Sequence, residues 1–450
     1  MPYARVCVRR ARTLAAAVDS DEARDRRSRA KLSRGRRLRV QGLRGGLSAL
    51  KLRSGPASCY AMEQMPAAHS NGLALTLTGG GARGAYQAGV LERLGQALPD
   101  LELGIVTGVS AGAINAAFLA NHRGSFGTAA RELARLWATL STDDVLRSAP
   151  LDLARNVTRW GMQLLSGGLD PLPKVRGLVD TAPLRQFLTR ILCDGEGELA
   201  GVRRNLEHGR LRALAVTTTS YATGQAITFA QHAPHHPVVS WQRPYRVGRS
   251  AIIGVDHVMA SASIPLLFPA VKLEGTWHGD GSVRQAAPLS PALRLGAERV
   301  LVISTVRQPP DQFAPVTVDD PYPSLARILG VTLNSLLYGH TEFDAEQLRR
   351  ITGLVRDRPG SSADLRPVEL FLVRPSEDLG QLAADYENKL PRALKYLTRG
   401  LGTRDENSTD LLSTLLFDGA FTERLIESGR RDADRQIEAL VRFVRGGEAP

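Results

Sequence analysis

Cysteine is scarce in this sequence. Its 450 residues hold three, Cys7, Cys59 and Cys193, and none has a C-x-x-C partner. That excludes a disulfide framework and a zinc cluster of the usual spacing, and it fits a reducing compartment. No run of about 18 apolar residues occurs, so no segment reads as a membrane-spanning helix. The Arg-rich opening has no apolar stretch long enough for a signal-peptide core. Met1-Pro2 rules out myristoylation and the closing "GGEAP" offers no prenylation signal, so no lipid anchor is expected. No internal repeat is present.

The body of the chain also lacks an excess of positive charge. The formal net charge of +13 suggests a nucleic-acid binder, but residues 1–60 hold 16 Lys/Arg against 4 Asp/Glu. The remaining 390 residues carry 42 against 41. The basicity belongs to a tail, and a basic-bodied nucleic-acid protein is disfavoured. Residues 1–70 read as a basic, disordered tail. Three readings of it compete: an extension ahead of a true start at Met62 or Met65, a basic arm for anionic membranes, and an organelle transit peptide. Asp19, Asp21, Glu22 and Asp25 count against the last. The expected location is cytoplasmic, with peripheral contact to a membrane.

What the sequence does contain is a regular alternation of apolar runs and helical patterns. "LALTLTGGGARGAYQAGVLERLG" runs from a strand at Leu73–Thr78 through three glycines into a helix near Ala85–Leu98. "LGIVTGVSAGAINAAFLANH" repeats that scheme, with the tight turn at Gly108–Gly112. A helical region follows over about 128–192, broken by "SGGLDPLPKVRG". Within it, Asp180 stands as a cap ahead of a helix with Pro183 in its first turn. "LRALAVTTTSY" and "GQAITFAQ" read as two strands joined by a Thr-Gly turn. "RVLVIST" and "VELFLVRP" are further buried strands, and from Asp378 onward the pattern is helical. "PPDQFAPVTVDDPYP" carries five prolines in fifteen residues and marks a surface loop or boundary. Strands alternating with helices predict an α/β protein with a mostly parallel sheet.

Three short stretches could carry chemistry. "GVSAG" fits G-x-S-x-G at Gly108, Ser110 and Gly112, set between a strand and a helix, which is the context of a nucleophile elbow. So tight a turn needs small neighbours, here Gly108, Ala111 and Gly112 beside Val109. It presents the Ser110 hydroxyl at the sheet edge, with the positive end of the next helix beneath a developing anion. A hydroxyl needs an adjacent base. In the Ser…Asp…His order the only histidine after Asp280 is His340 in "LYGHTEFD", which reads as a surface or packing residue. His235-His236 lies in a polar loop without metal-ligand spacing, and His278 reads as structural. That leaves Asp280 in "TWHGDGSV", flanked by Gly279 and Gly281. A partly desolvated carboxylate has a raised pKa and could take the proton directly.

The triple glycine is a weak nucleotide signal. A dinucleotide site would need an acid ending the next strand, and Asp100 and Glu102 precede that strand. Consecutive glycines can instead turn several N–H groups toward one point. Beside Ser110 they would form an oxyanion hole, each donor supplying roughly 2.7–4 kcal/mol of transition-state stabilisation.

In this combination the chain resembles the patatin-like phospholipase family. "GGGARG" at Gly79–Gly84, "GVSAG" at Gly108–Gly112 and "DGS" at Asp280–Ser282 follow the family's order, with Ser282 where the family has Ala or Gly. "MASASIPLLFPAV" is similar to a family segment, and "LVRPSEDLG" and "LLSTLLFDGAF" look like bacterial members. The resemblance implies a three-layer α/β/α fold with a mostly parallel central sheet and a helical C-terminal region. It implies a catalytic domain over 71–305 and a C-terminal extension over 306–450, with one further strand and helices packed on that domain. It implies a Ser110–Asp280 dyad cleaving carboxylic esters of lipids through an acyl-enzyme, with phospholipid or acylglycerol as substrate and no metal or cofactor. The oxyanion loop maps onto Gly79, Gly80, Gly81, Ala82, Arg83 and Gly84, with the donors around Gly80 and Gly81. Two roles stay open for Arg83: support of a nearby helix, or contact with an anionic head group. Two other functions remain: a triad esterase using His340, and a lipid- or nucleotide-binding module without turnover. "RWGMQLLSGGLDPLP" and helices near 133–140 are candidates for an acyl channel or cover. The C-terminal helices are expected to pack on the domain. Were they to dock on a membrane instead, Arg430, Arg431, Arg435, Arg442 and Arg445 would favour anionic lipid.

Overall fold

The fold is that of a computed structural model, which describes residues 72–147, 176–194, 197–236, 240–307, 340–358, 365–391 and 409–447, with a few short stretches between them. The basic tail and most of the proline-rich "PPDQFAPVTVDDPYP" and of "RWGMQLLSGGLDPLP" lie outside the described residues.

The apolar runs form the centre of one sheet. β1 (Leu73–Leu77), β2 (Ile105–Val109), β3 (Ala213–Ser220), β9 (Arg299–Ile303) and β10 (Glu369–Val373) lie parallel in the order β10-β9-β1-β2-β3. β4 (Ala226–His232) continues the sheet antiparallel to β3, followed by β6 (Arg246–Ser250) and β5 (Trp241–Arg243). A short ribbon of β7 (Val271–Leu273) and β8 (Thr276–Asp280) joins β3. The centre is parallel and the periphery mixed. The central strands are covered on both faces, which is why they read as unbroken apolar runs rather than alternating ones.

Each face carries its own core. Leu75, Leu77, Val106, Val216 and Ile303 share one with residues of α1 (Gly84–Ala97), α2 (Ala111–Asn121), α3 (Phe126–Thr139), α4 (Ala182–Leu192) and α6 (Val255–Ser261). Ala74, Ile105, Ala215, Val300 and Val302 face α7 (Ser290–Arg294) and α8 (His340–Asp357) through Ala292, Ala345 and Leu348. The architecture is three-layered, α/β/α.

The helix after Asp180 has Thr181, one residue later than the sequence suggests, as its N-cap, and Asp180 supports the start from the position before it. Asp180 Oδ1 accepts the Ala182 N–H at 2.9 Å, and Pro183 sits in the first turn, where its missing N–H costs nothing.

The C-terminal helices belong to the first face. α11 (Gly419–Arg435) lies along α1 at backbone contact. A Cβ at Gly89 would overlap the Ile426 carbonyl, and one at Gly429 would overlap that of Tyr86. Three of the arginines considered for lipid contact are paired here: Arg430 with Glu92 at 2.6 Å, Arg431 with Glu377 at 2.9 Å and Arg435 with Asp432 at 3.2 Å. No described helix is long and apolar enough to cross a membrane.

Candidate active site

β2 ends abruptly at Ser110, whose backbone turns to φ 55° and ψ −129° before α2 begins. A non-glycine residue held there stores about 1–3 kcal/mol of strain, so the surroundings must fix it. The Ser110 carbonyl accepts the Ala113 N–H at 2.9 Å, and the Ser110 N–H donates to Ser261 Oγ at 3.0 Å. Ser261 donates in turn to the Thr217 carbonyl at 2.6 Å. Close packing sets the neighbours' size, since a Cβ at Gly112 would overlap the carbonyl oxygens of Leu77 and Thr78. Ser110 itself is 5% exposed.

Sheet register explains why Asp280 arrives beside it. β2 covers one edge of β3 only as far as the Val109↔Thr217 pair. β8 enters from the opposite direction and takes the next stretch of β3, ending at the Asp280↔Thr218 pair. β4 occupies the other edge of β3 over the same residues. The two strands therefore abut end to end, and the residue that leaves β2 faces the residue that ends β8. A Cβ at Gly281 would meet both the Thr217 carbonyl and Val109 Cγ2, which shows how closely the ends join.

Asp280 is completely buried. Its N–H donates to the Ser263 carbonyl at 2.9 Å, its carbonyl accepts Thr219 Oγ1 at 2.8 Å, and Oδ1 accepts the Ser282 N–H at 2.9 Å. Oδ2 has no hydrogen-bond partner of ordinary geometry. Burial pushes the carboxyl up to about 6, opposed by the hydroxyl of Ser110 and by the N–H and hydroxyl of Ser282. The Ser110 hydroxyl thus acts on the carboxyl by lowering its pKa, without a hydrogen bond of ordinary geometry between them. Ser282 Oγ is likewise buried and unpartnered. It sits beside the loop: a Cβ at Gly79 would lie 2.7 Å from Ser282 Oγ and 3.1 Å from Ser110 Cβ.

The glycine loop runs from Gly79 into a 3₁₀ turn over Gly81–Arg83. Thr305 Oγ1 donates to the Gly79 carbonyl at 2.5 Å, and the Arg83 N–H to Gly80 at 3.1 Å. Among the described residues, the N–H groups of Gly80, Gly81 and Ala82 have no hydrogen-bond acceptor. A buried chain of amides and an indole backs the loop. Gln87 donates to the Thr78 and Ile303 carbonyls at 2.9 and 3.0 Å, Asn115 to the Gly84 carbonyl and to Gln87 Oε1, both at 3.0 Å, and Trp137 Nε1 to Asn115 Oδ1 at 2.8 Å. Arg83 takes the first of its two open roles: it is buried and paired with Asp410 and Ser413 of a C-terminal helix.

Ser110 and Gly81 line a narrow apolar cavity. Ile114 on α2, Leu133, Leu136 and Trp137 on α3, Leu184, Phe187 and Ile191 on α4, and Ile264, Phe268 and Phe417 line it. The α3 segment near 133–140 is the part of the anticipated acyl channel that falls on described residues.

No histidine joins this group among the described residues. His278 is buried, with Nδ1 bonded to Thr218 Oγ1 and Nε2 to Thr276 Oγ1, both at 2.9 Å, and burial keeps its pKa below the ordinary value. His340 begins α8, on the core of the opposite face. Sequence inspection missed Ser261, Thr305, Asp410 and the Gln87–Asn115–Trp137 chain. Each acts through one contact from a distant element, and none falls in a spacing that marks it.

Residues 75–293 match the family model of the patatin-like phospholipases. No curated protein matches the chain. Among solved structures, VipD from Legionella pneumophila aligns at 12% identity over 79% of this chain and 66% of its own, with a TM-score of 0.29. Human GIVD cytosolic phospholipase A2, bound to methyl gamma-linolenyl fluorophosphonate, aligns at 15% identity over 83% and 59%, with a TM-score of 0.38. Full-length ExoU from Pseudomonas aeruginosa, in complex with SpcU, aligns at 16% identity over 82% and 53%, with a TM-score of 0.28. The chain thus spans between 53% and 66% of the length of these three proteins.

Proposed function

The chain belongs to the patatin-like phospholipase family through residues 75–293, and on that premise we propose that it hydrolyses carboxylic esters of lipids with Ser110 as nucleophile and Asp280 as its base. The observation that carries this reading is the end-to-end meeting of β2 and β8. It sets a strained, buried hydroxyl against a carboxylate raised to about 6, at the mouth of an apolar cavity.

Catalysis then follows from what each group can do. The acyl chain of a phospholipid or acylglycerol fills the cavity, where burial of each methylene contributes about 0.8 kcal/mol, and brings its carbonyl to Ser110. As Oγ attacks, its proton passes to Asp280, whose raised pKa makes it a better proton acceptor than an exposed carboxylate. The carbonyl oxygen becomes an anion, and the free N–H groups around Gly80 and Gly81, with that of Ala82, supply the donors for it. The alcohol leaves with the proton from Asp280, and Ser110 keeps the acyl group. Water, deprotonated by the same carboxylate, reverses these steps and releases the fatty acid. The expected setting is cytoplasmic, with the substrate drawn from a membrane surface.

Intact-mass analysis after exposure to an alkyl fluorophosphonate tests the reading. Wild type should gain one phosphonyl adduct, located on Ser110. Ser110→Ala should gain none, and it and Asp280→Asn should each lose lipid-esterase activity by at least about a thousandfold. Folded wild type that gains no mass would refute a primed serine.

A further inference from the structure

Arg83 is the one charged side chain in the glycine loop, and it is 3% exposed. Its guanidinium faces the protein. Nε donates to Ser413 Oγ at 2.8 Å, and Nη2 to Asp410 Oδ1 at 2.5 Å and to the Asp410 carbonyl at 3.3 Å. These partners lie on α10 (Thr409–Leu415), more than three hundred residues away and outside the matched segment 75–293. α10 touches the loop at a second point. Gly81 has φ 55°, and a Cβ there would overlap the Thr414 carbonyl oxygen. A side chain at Gly81 is thus barred twice, by its dihedral and by α10.

The end of this segment is fastened to the cavity. Phe417 lines it, and the Phe417 carbonyl accepts Thr142 Oγ1 at 2.9 Å. Just beyond, Thr422 Oγ1 donates to the carbonyl of Trp137, another lining residue, at 2.7 Å.

We propose that residues 409–417 form a clamp that holds the glycine loop in its donor conformation, with Arg83 and Asp410 as its positioning pair. The inference rests on the reading that this loop stabilises the oxyanion at Ser110. Arg83 follows Ala82 directly, so fixing the guanidinium fixes the short turn that carries the free N–H groups. Thr414 packs on the turn from outside at Gly81, and Phe417 carries the same segment to the acyl cavity. A head-group role for Arg83 would leave the guanidinium exposed and facing the cavity mouth, and here it is enclosed by α10. Arg83 is enclosed while Asp410 is about a third exposed, so losing either group takes a charge-assisted hydrogen bond from the loop, and either single change should loosen it. Neither residue touches Ser110 or Asp280, so acyl binding and the base should survive.

The test is a double-mutant cycle on the full chain with Asp410→Asn, Arg83→Met and the double variant. Losing one oxyanion donor lowers kcat by about 10²–10³-fold, so a loosened donor should lower it by about tenfold or more. KM should stay within about twofold, because the cavity is intact. The double variant should lose no more than the worse single variant. Amide exchange at Gly81 and Ala82 should quicken in Asp410→Asn, while the melting transition stays cooperative. Unchanged kcat in Asp410→Asn, or multiplicative losses in the double variant, would overturn the clamp. If wild type neither hydrolyses esters nor takes a phosphonyl adduct, the dyad reading fails on its own. Amide exchange then decides the clamp: quickened exchange in Asp410→Asn supports it, and unchanged exchange refutes it.

Discussion

At the scale of single residues, the site is defined by what burial does to one carboxyl. Asp280 is raised from the ordinary range to about 6, burial being the largest cause. Its folded form holds a proton more tightly than its unfolded form, the reverse of a salt-bridged aspartate. The group therefore favours the fold below about pH 4, and that contribution is lost as pH rises through about 6. Above that, the charged, enclosed carboxylate costs on the order of 3 kcal/mol. Asn at the position keeps the acceptor for the Ser282 N–H and carries no charge. Asp280→Asn should melt several degrees higher than wild type at pH 7.5, with the gap closing toward pH 4. Calorimetry at the two pH values checks this, and a variant less stable at pH 7.5 would contradict it. The motifs holding Ser110 and Asp280 are legible in sequence because glycine spacing and turn context mark them. Ser261 and Thr305 are not, since a hydroxyl that ties down one backbone group looks like any other serine or threonine.

At the scale of elements, function follows from where strands stop. Five parallel strands and their flanking helices were legible as apolar runs punctuated by glycine. The meeting of β2 with β8 was not, because it depends on β3 having one edge shared by two strands of opposite direction. Helix faces add the apolar cavity. Ile114 lies one turn beyond Ser110 on α2 and looks into the cavity beside it. A larger side chain there should shorten the space next to the nucleophile while leaving the dyad in place. Ile114→Phe should raise the preference for eight-carbon over sixteen-carbon acyl esters by about tenfold, read as a ratio of kcat/KM values. An equal loss for both chain lengths would mean that the acyl group lies elsewhere.

At the scale of the whole molecule, late elements of the described chain return to early ones. β10, from late in the sequence, pairs with β9, and α11 lies at backbone contact with α1. The helical character of the C-terminal region was legible, but its contact with the glycine loop was not. Arg83 and Asp410 are separated by 327 positions, and nothing local to either marks the partnership. Rate is the property in which these parts combine, and its dependence on pH identifies the base. The most direct measurement is the rate at which an alkyl fluorophosphonate labels Ser110 between pH 4.5 and 8.5, in wild type and in Asp280→Asn. The wild-type rate should rise through an inflection near pH 6, and Asp280→Asn should label at least about a hundredfold more slowly with that inflection gone. Equal labelling of both proteins, or an inflection that persists without the carboxylate, would contradict proton transfer from Ser110 to Asp280.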